Sequence, residues 1–177
     1  MTNRNFEPIM DAVKDHFFTS ESLNRVAAFA DAGVQREGWF NGELVYLLSK
    51  MKERDKTIKS AFEYPTGDGK KCDLWLELAA ATAVIEIKAA ALFWRGGTVG
   101  LGRWATDCAQ EVQKFLTIPA TSHYILLFAY RAPRETDWQT LAHETARLGA
   151  SVTISRVDTS SPGRELAIGW LHASTQA

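Results

Sequence analysis

The stretch Cys72–Ala90, CDLWLELAAATAVIEIKAA, holds two apolar runs separated by a short Ala-rich connection, and three charged side chains, Asp73, Glu86 and Lys88, interrupt them. The runs read as neighbouring strands of one sheet. Because strand side chains alternate between faces, Val84, Glu86 and Lys88 share one face, and Ile85, Ile87 and Ala89 the other. On the preceding strand Leu74, Leu76 and Leu78 share a face, which leaves Asp73, Trp75 and Glu77 opposite. Adjacent pairing then brings Asp73 beside Glu86, so that two carboxylates and an ammonium converge.

Outward from this pair, apolar spacing at Phe6, Ile9, Met10, Val13 and Phe17 predicts a first helix, and Leu23, Val26, Ala27 and Ala30 a second, stopped near Gly33. A third helix carries Phe40, Leu44, Leu47, Leu48 and Met51 on one face. TIKSAFEYP and KCDLWLEL flank the turn TGDGK as a hairpin, and TAVIEIKAA follows as the next strand. The Gly-rich WRGGTVGLGRW leads into a helix from about Trp104 to Leu116. HYILLFAY reads as a strand, Thr136 to Leu148 as a helix closed by Gly149, and SVTISRV and RELAIGWLH as a final hairpin around DTSSPG. This order predicts a mixed α/β sheet with helices on both faces.

The chain has 177 residues, of which 46% are hydrophobic and 23% charged, which fits a single globular domain over residues 1–177. A net charge of −1 provides no overall basic field, so a nucleic-acid partner must be met by a local patch. Cys72 and Cys108 lack the spacing of a zinc site and are expected to be reduced, buried thiols. Asp11 and Asp15 interrupt the apolar pattern of the N-terminal stretch, which reads neither as a signal peptide nor as a membrane span. The expectation is a cytoplasmic protein that does not enter a membrane. The four histidines are scattered without ligand spacing.

Two carboxylates held together in a partly dry place repel each other unless a cation sits between them. Carboxylate oxygens suit Mg²⁺, or Mn²⁺, which commonly binds one or two carboxylates, several waters and a substrate phosphate. A lysine alongside could orient the attacking water or stabilise charge developing on phosphate. The tripeptide acid-x-Lys says little alone: with 21 acids and nine lysines it is expected about once by chance, and it occurs twice, at Asp68-Gly-Lys70 and Glu86-Ile-Lys88. The first falls in a turn, and only the second lies inside an apolar strand, 13 residues after a strand acid.

An acid on one strand followed one hairpin later by (D/E)-x-K resembles the PD-(D/E)xK nuclease superfamily. The resemblance covers residues 38–130, about half the chain, and implies a restriction-endonuclease-like fold: a mixed central sheet flanked by helices, with an αβββαβ core, N-terminal helices and a C-terminal hairpin. It further implies Asp73 and Glu86 as metal ligands, Lys88 as a catalytic residue, Mg²⁺ or Mn²⁺ as cofactor, and Glu43 in GWFNGELVYLL as the helical acid that many members add. Cys72 stands where many members have proline, and Gln110 is followed at four residues by Lys114 where some have tyrosine. The activity implied is metal-dependent hydrolysis of nucleic acid, DNA before RNA, in restriction, defence or repair, with a homodimer as one arrangement. The alternative is a module of this fold that binds without cleaving.

Simpler readings stand beside these. Asp73 also suits a strand start beside a turn, Glu86 and Lys88 a structural ion pair, and Glu43 the solvent border of its helix. Glu111 falls in the apolar stripe of Trp104, Cys108 and Phe115 with Lys114 on its flank, which reads as an edge-of-core salt bridge. The Gly-rich segment lacks the Lys-Ser/Thr ending of a P-loop and reads as a connector beside the site, where Arg95 and Arg103 could meet a nucleic-acid backbone.

Overall fold

The computed structural model describes residues 4–32, 37–65, 69, 71–79, 81–91, 93–94, 97–98, 101–116, 118–130, 133–160 and 166–174. After a 3-10 turn at Arg4–Phe6, helix α1 (Glu7–Phe17) carries Pro8 in its first turn, where the missing N–H is no loss, and buries Ile9, Met10, Val13 and Phe17. Helix α2 (Ser20–Ala32) follows, with the Thr19 hydroxyl accepting from the Ser22 N–H. Helix α3 (Glu37–Arg54) buries Phe40, Leu44 and Leu48 and complements its dipole with Glu37 at the start and Lys52 and Arg54 at the end.

Strands β1 (Lys59–Pro65), β2 (Lys71–Leu78) and β3 (Ala81–Ala91) form an antiparallel meander. The Gly-rich connector contains a small antiparallel pair, β4 (Phe93–Trp94) and β5 (Gly97–Thr98), that periodicity did not suggest. Helix α4 (Leu101–Phe115) then crosses to β6 (Ser122–Tyr130), which lies parallel to β3. Helix α5 (Glu135–Arg147) precedes the C-terminal strands β7 (Ser151–Thr159) and β8 (Leu166–Ser174). The six-stranded sheet runs β1-β2-β3-β6-β8-β7, with β3–β6 its parallel pairing. The expected mixed α/β sheet is therefore present.

Its two faces bury separate cores. Under α1, α2 and α3 lie Leu74, Leu76, Ile85, Ile87, Phe128 and Trp170. The ring of Phe40 stacks on that of Phe128 with centroids 4.3 Å apart. Under α4 and α5 lie Val84, Ile125, Leu127, Trp138, Leu141 and Leu171. Val84 and Ile85 thus go to opposite cores, as alternation requires, and the Val84 face, which carries Glu86 and Lys88, is the face α4 covers. Gly169 on β8 lets the Trp138 ring lie directly on the strand, since an added Cβ would come within 2.5 Å of that ring. Gly149, at φ +87, turns the chain out of α5 in the left-handed conformation expected of it. Among the described residues no helix is long and apolar enough to cross a membrane.

Candidate active site where β2 and β3 separate

The ladder between β2 and β3 runs from Leu78–Ala81 to Leu74–Ile85 and pairs no residues beyond. One residue further on, side chains replace backbone partners. The Ile87 N–H donates to Asp73 Oδ2 at 2.8 Å, and the Asp73 N–H points at Glu86 Oε2 at 3.4 Å, a weak bond. On the other side β1 is interrupted for one residue only: it pairs Phe62 with Leu74 and, in the same register, Tyr64 with Cys72, and between them Glu63 takes φ +49, a strained value for a residue with a side chain. Asp73 therefore sits where β3 releases β2, opposite a one-residue gap in the β1 ladder, and its carboxyl lies beside Glu86. No donor among the described residues reaches Asp73 Oδ1.

Helix α4 brings two more charges. Lys114 Nζ lies 2.5 Å from Glu86 Oε1 and 2.6 Å from Glu111 Oε2, while Lys88 Nζ lies 3.0 Å from Glu111 Oε1 and 4.0 Å from Glu86 Oε1. Glu86, Lys114, Glu111 and Lys88 close a ring, with Asp73 attached through Glu86. Glu86 is only 2% exposed, so its charge depends on these partners.

A further acid enters from α3. The Glu37 carboxyl stands near the Ala89 N–H and senses the charges of Lys88, Asp73 and Glu111. The expected helical acid, Glu43, lies elsewhere: its Oε2 is 2.8 Å from His16 Nε2 and its Oε1 3.5 Å from an Arg25 nitrogen, among the first three helices. Six residues of α-helix separate Glu37 and Glu43 by about 120° in direction and ~9 Å along the axis, so the two acids point to different surroundings. Gln110 faces away as well, lining a shallow cleft with Thr106, Ala109, Gln113 and Leu148. Arg95 lies outside the described residues, as does the side chain of Arg103.

Among the described residues the charges do not balance. Asp73, Glu86 and Glu111 oppose two ammoniums, which leaves one negative charge, and Glu37 makes it two. Burial first, and then the Asp73 charge, raise the Glu86 carboxyl to about 7. Burial, with Asp73 and Glu111, likewise raises Glu37 despite Lys88. Glu111 is also disfavoured by burial, but Lys114, the hydrogen bond to Glu86 and Lys88 outweigh it and hold Glu111 low. A proton entering this pair settles on the deeper Glu86. Burial opposes charge on both lysines too, yet the surrounding carboxylates raise Lys88 and Lys114 and keep them ammonium. Cys72, next to the site, is pushed up to about 11 by burial and the Glu86 charge, so it is an inert thiol.

Among the described residues no three His, Cys, Asp or Glu side chains form a ready-made metal cage. The donor set present is the smaller one that suits Mg²⁺: Asp73 with a free oxygen, Glu86 beside it, and excess negative charge. Glu111 and Lys114 were legible in sequence as a pair on one helix, but nothing there placed them against Glu86. Glu37 had no sequence signal beyond being an acid in a helix's first turn. No family model matches the chain, and neither a curated protein nor a solved structure matches it.

Proposed function

We propose that the chain is a metal-dependent, nuclease-like phosphodiesterase of the PD-(D/E)xK type, with DNA as substrate and a restriction-endonuclease-like core around β1, β2, β3, α4 and β6. The observation that supports this best is the fork at Asp73. Two carboxylates from separating strands stand side by side with more negative charge than their lysines offset. Asp73 and Glu86 would hold Mg²⁺ or Mn²⁺, and Glu37 stands near enough to support the site from α3. When bound, the ion supplies Lewis acidity toward the phosphodiester.

The remaining work falls to the chain's own groups. Lys88, one strand step beyond Glu86 on the same face, donates from Nζ to the attacking water or to a phosphate oxygen as charge builds there. Glu37 and Glu111 hold that ammonium charged and in place. Asp73, pinned through Oδ2 by the Ile87 amide, keeps Oδ1 directed by the backbone rather than by a mobile rotamer.

The test is cleavage of plasmid and oligonucleotide DNA with Mg²⁺ or Mn²⁺, comparing the wild type with Asp73→Ala and Lys88→Ala. The proposal expects metal-dependent cutting that both substitutions abolish; cutting that survives either would contradict it. A second reading, a binding module of this architecture that does not cleave, draws on Lys114, whose ammonium occupies Glu86. DNA retained in a gel-shift assay but never cut would select that reading.

A further inference from the structure

Resting on the reading of Asp73 and Glu86 as metal ligands, we infer that the Lys114 ammonium is the resident counter-cation of the site, a built-in competitor that the divalent ion must displace from Glu86. Lys114 Nζ sits 2.5 Å from Glu86 Oε1, the kind of place beside a carboxylate oxygen that a bound Mg²⁺ takes at ~2.0–2.1 Å. Two cations cannot share that position. The one already there is a side chain of this protein.

The geometry also provides for the exchange. Lys114 stands in the last turn of α4 on a four-carbon stem, and its side chain is about a fifth exposed, so it has a way out. Its second carboxylate, Glu111 Oε2 at 2.6 Å, is three residues back on the same helix and does not belong to the proposed metal pair. On release from Glu86 the ammonium therefore keeps Glu111 as an anchor and swings a short distance. The N–H it frees becomes available to a phosphate oxygen of the substrate. Lys88 is placed differently: 4.0 Å from Glu86 and 3.0 Å from Glu111, it neighbours the site without occupying it. Ion and polyanion thus favour one rearrangement, the first by claiming Glu86 and the second by receiving Lys114.

The test is Mn²⁺ binding by isothermal titration calorimetry, without DNA, on the full-length wild type, Lys114→Met, Lys88→Met and Asp73→Asn. Both lysine variants remove one positive charge, so a general electrostatic effect would tighten Mn²⁺ equally in the two. Displacement predicts that Lys114→Met binds Mn²⁺ tighter than wild type by about tenfold or more and tighter than Lys88→Met by several-fold. Equal affinity in wild type and Lys114→Met, or an equal gain in the two lysine variants, overturns the inference. Absence of Mn²⁺ uptake in every protein, or uptake undiminished in Asp73→Asn, would instead overturn the metal-site reading on which it rests. Lys114→Gln, which keeps a polar group against Glu111, carries the same comparison should the methionine variant fold poorly.

Discussion

Replacing Glu86 by Gln preserves the side chain's size and removes its charge, which isolates what it costs to ionise a carboxyl at this depth. Burial first, and then the Asp73 charge, push the Glu86 carboxyl up from an ordinary 4.5 to about 7. At about 1.4 kcal/mol per pH unit, that displacement amounts to a penalty of order 3 kcal/mol on the folded carboxylate. Below pH 4.5 the carboxyl is protonated whether folded or unfolded, and no penalty exists. Between 4.5 and 7 the unfolded chain gives up its proton first, so the wild type loses stability as pH rises. Above 7 the deficit is constant. Glutamine does not titrate, so Glu86→Gln should gain on the wild type by about 2 kcal/mol between pH 5 and pH 8. For a chain of this length that is a relative rise in Tm of ~4–8 °C. Urea melts of both proteins in EDTA at the two pH values measure it, and taking the difference removes His123 and His172, which titrate in both. Parallel melts, with a pH-independent gap, would refute the placement of uncompensated charge at Glu86.

The same structure makes three further predictions. Gly169→Ala drives a Cβ to 2.5 Å from the fully buried Trp138 ring, so it should lose ~2 kcal/mol or more in a thermal melt, whereas Gly42→Ala, with nothing within 4 Å on α3, should gain ~0.5–1 kcal/mol. Glu37→Gln should lower DNA cleavage with little change in Tm, while Glu43→Gln should leave cleavage intact and cost about 1 kcal/mol through His16 and Arg25. Arg156 ties β7 to α1 through Glu7 and Asp11 and also holds Asp158, so Arg156→Met should cost ~1–2 kcal/mol at low salt and less at 1 M NaCl, as read by denaturant melts.

The juxtaposition of Asp73 and Glu86 was legible because two local rules determine it. Alternation assigns faces, and the short connection after Leu78 leaves little freedom in how β2 meets β3; Ala79 makes the turn at φ +54. The order in which β6, β7 and β8 follow β3 across the sheet was not legible. The β7–β8 hairpin was legible as a local turn, but that β8 rather than β7 lies against β6 depends on pairings such as Tyr130–Leu166 and His123–Ala173, far apart in the chain, for which the pattern of each strand carries no information. The partners of the expected helical acid were not legible for a related reason: a helical wheel ranks Glu43 by direction but does not say that His16 and Arg25 from α1 and α2 meet it. Glu37, in the first turn of α3, is the acid that stands beside Ala89. Glu111 and Lys114 read as an edge-of-core salt bridge because their significance lies in Glu86, 25 and 28 residues away and on a different element.

The most direct measurement is the anomalous difference density of a crystal soaked in Mn²⁺. A peak bound by Asp73 and Glu86, with the Lys114 ammonium withdrawn from Glu86 toward Glu111, is the predicted result. Lys114 still seated on Glu86 at saturating Mn²⁺, with no peak at the fork of β2 and β3, would contradict the metal-dependent account.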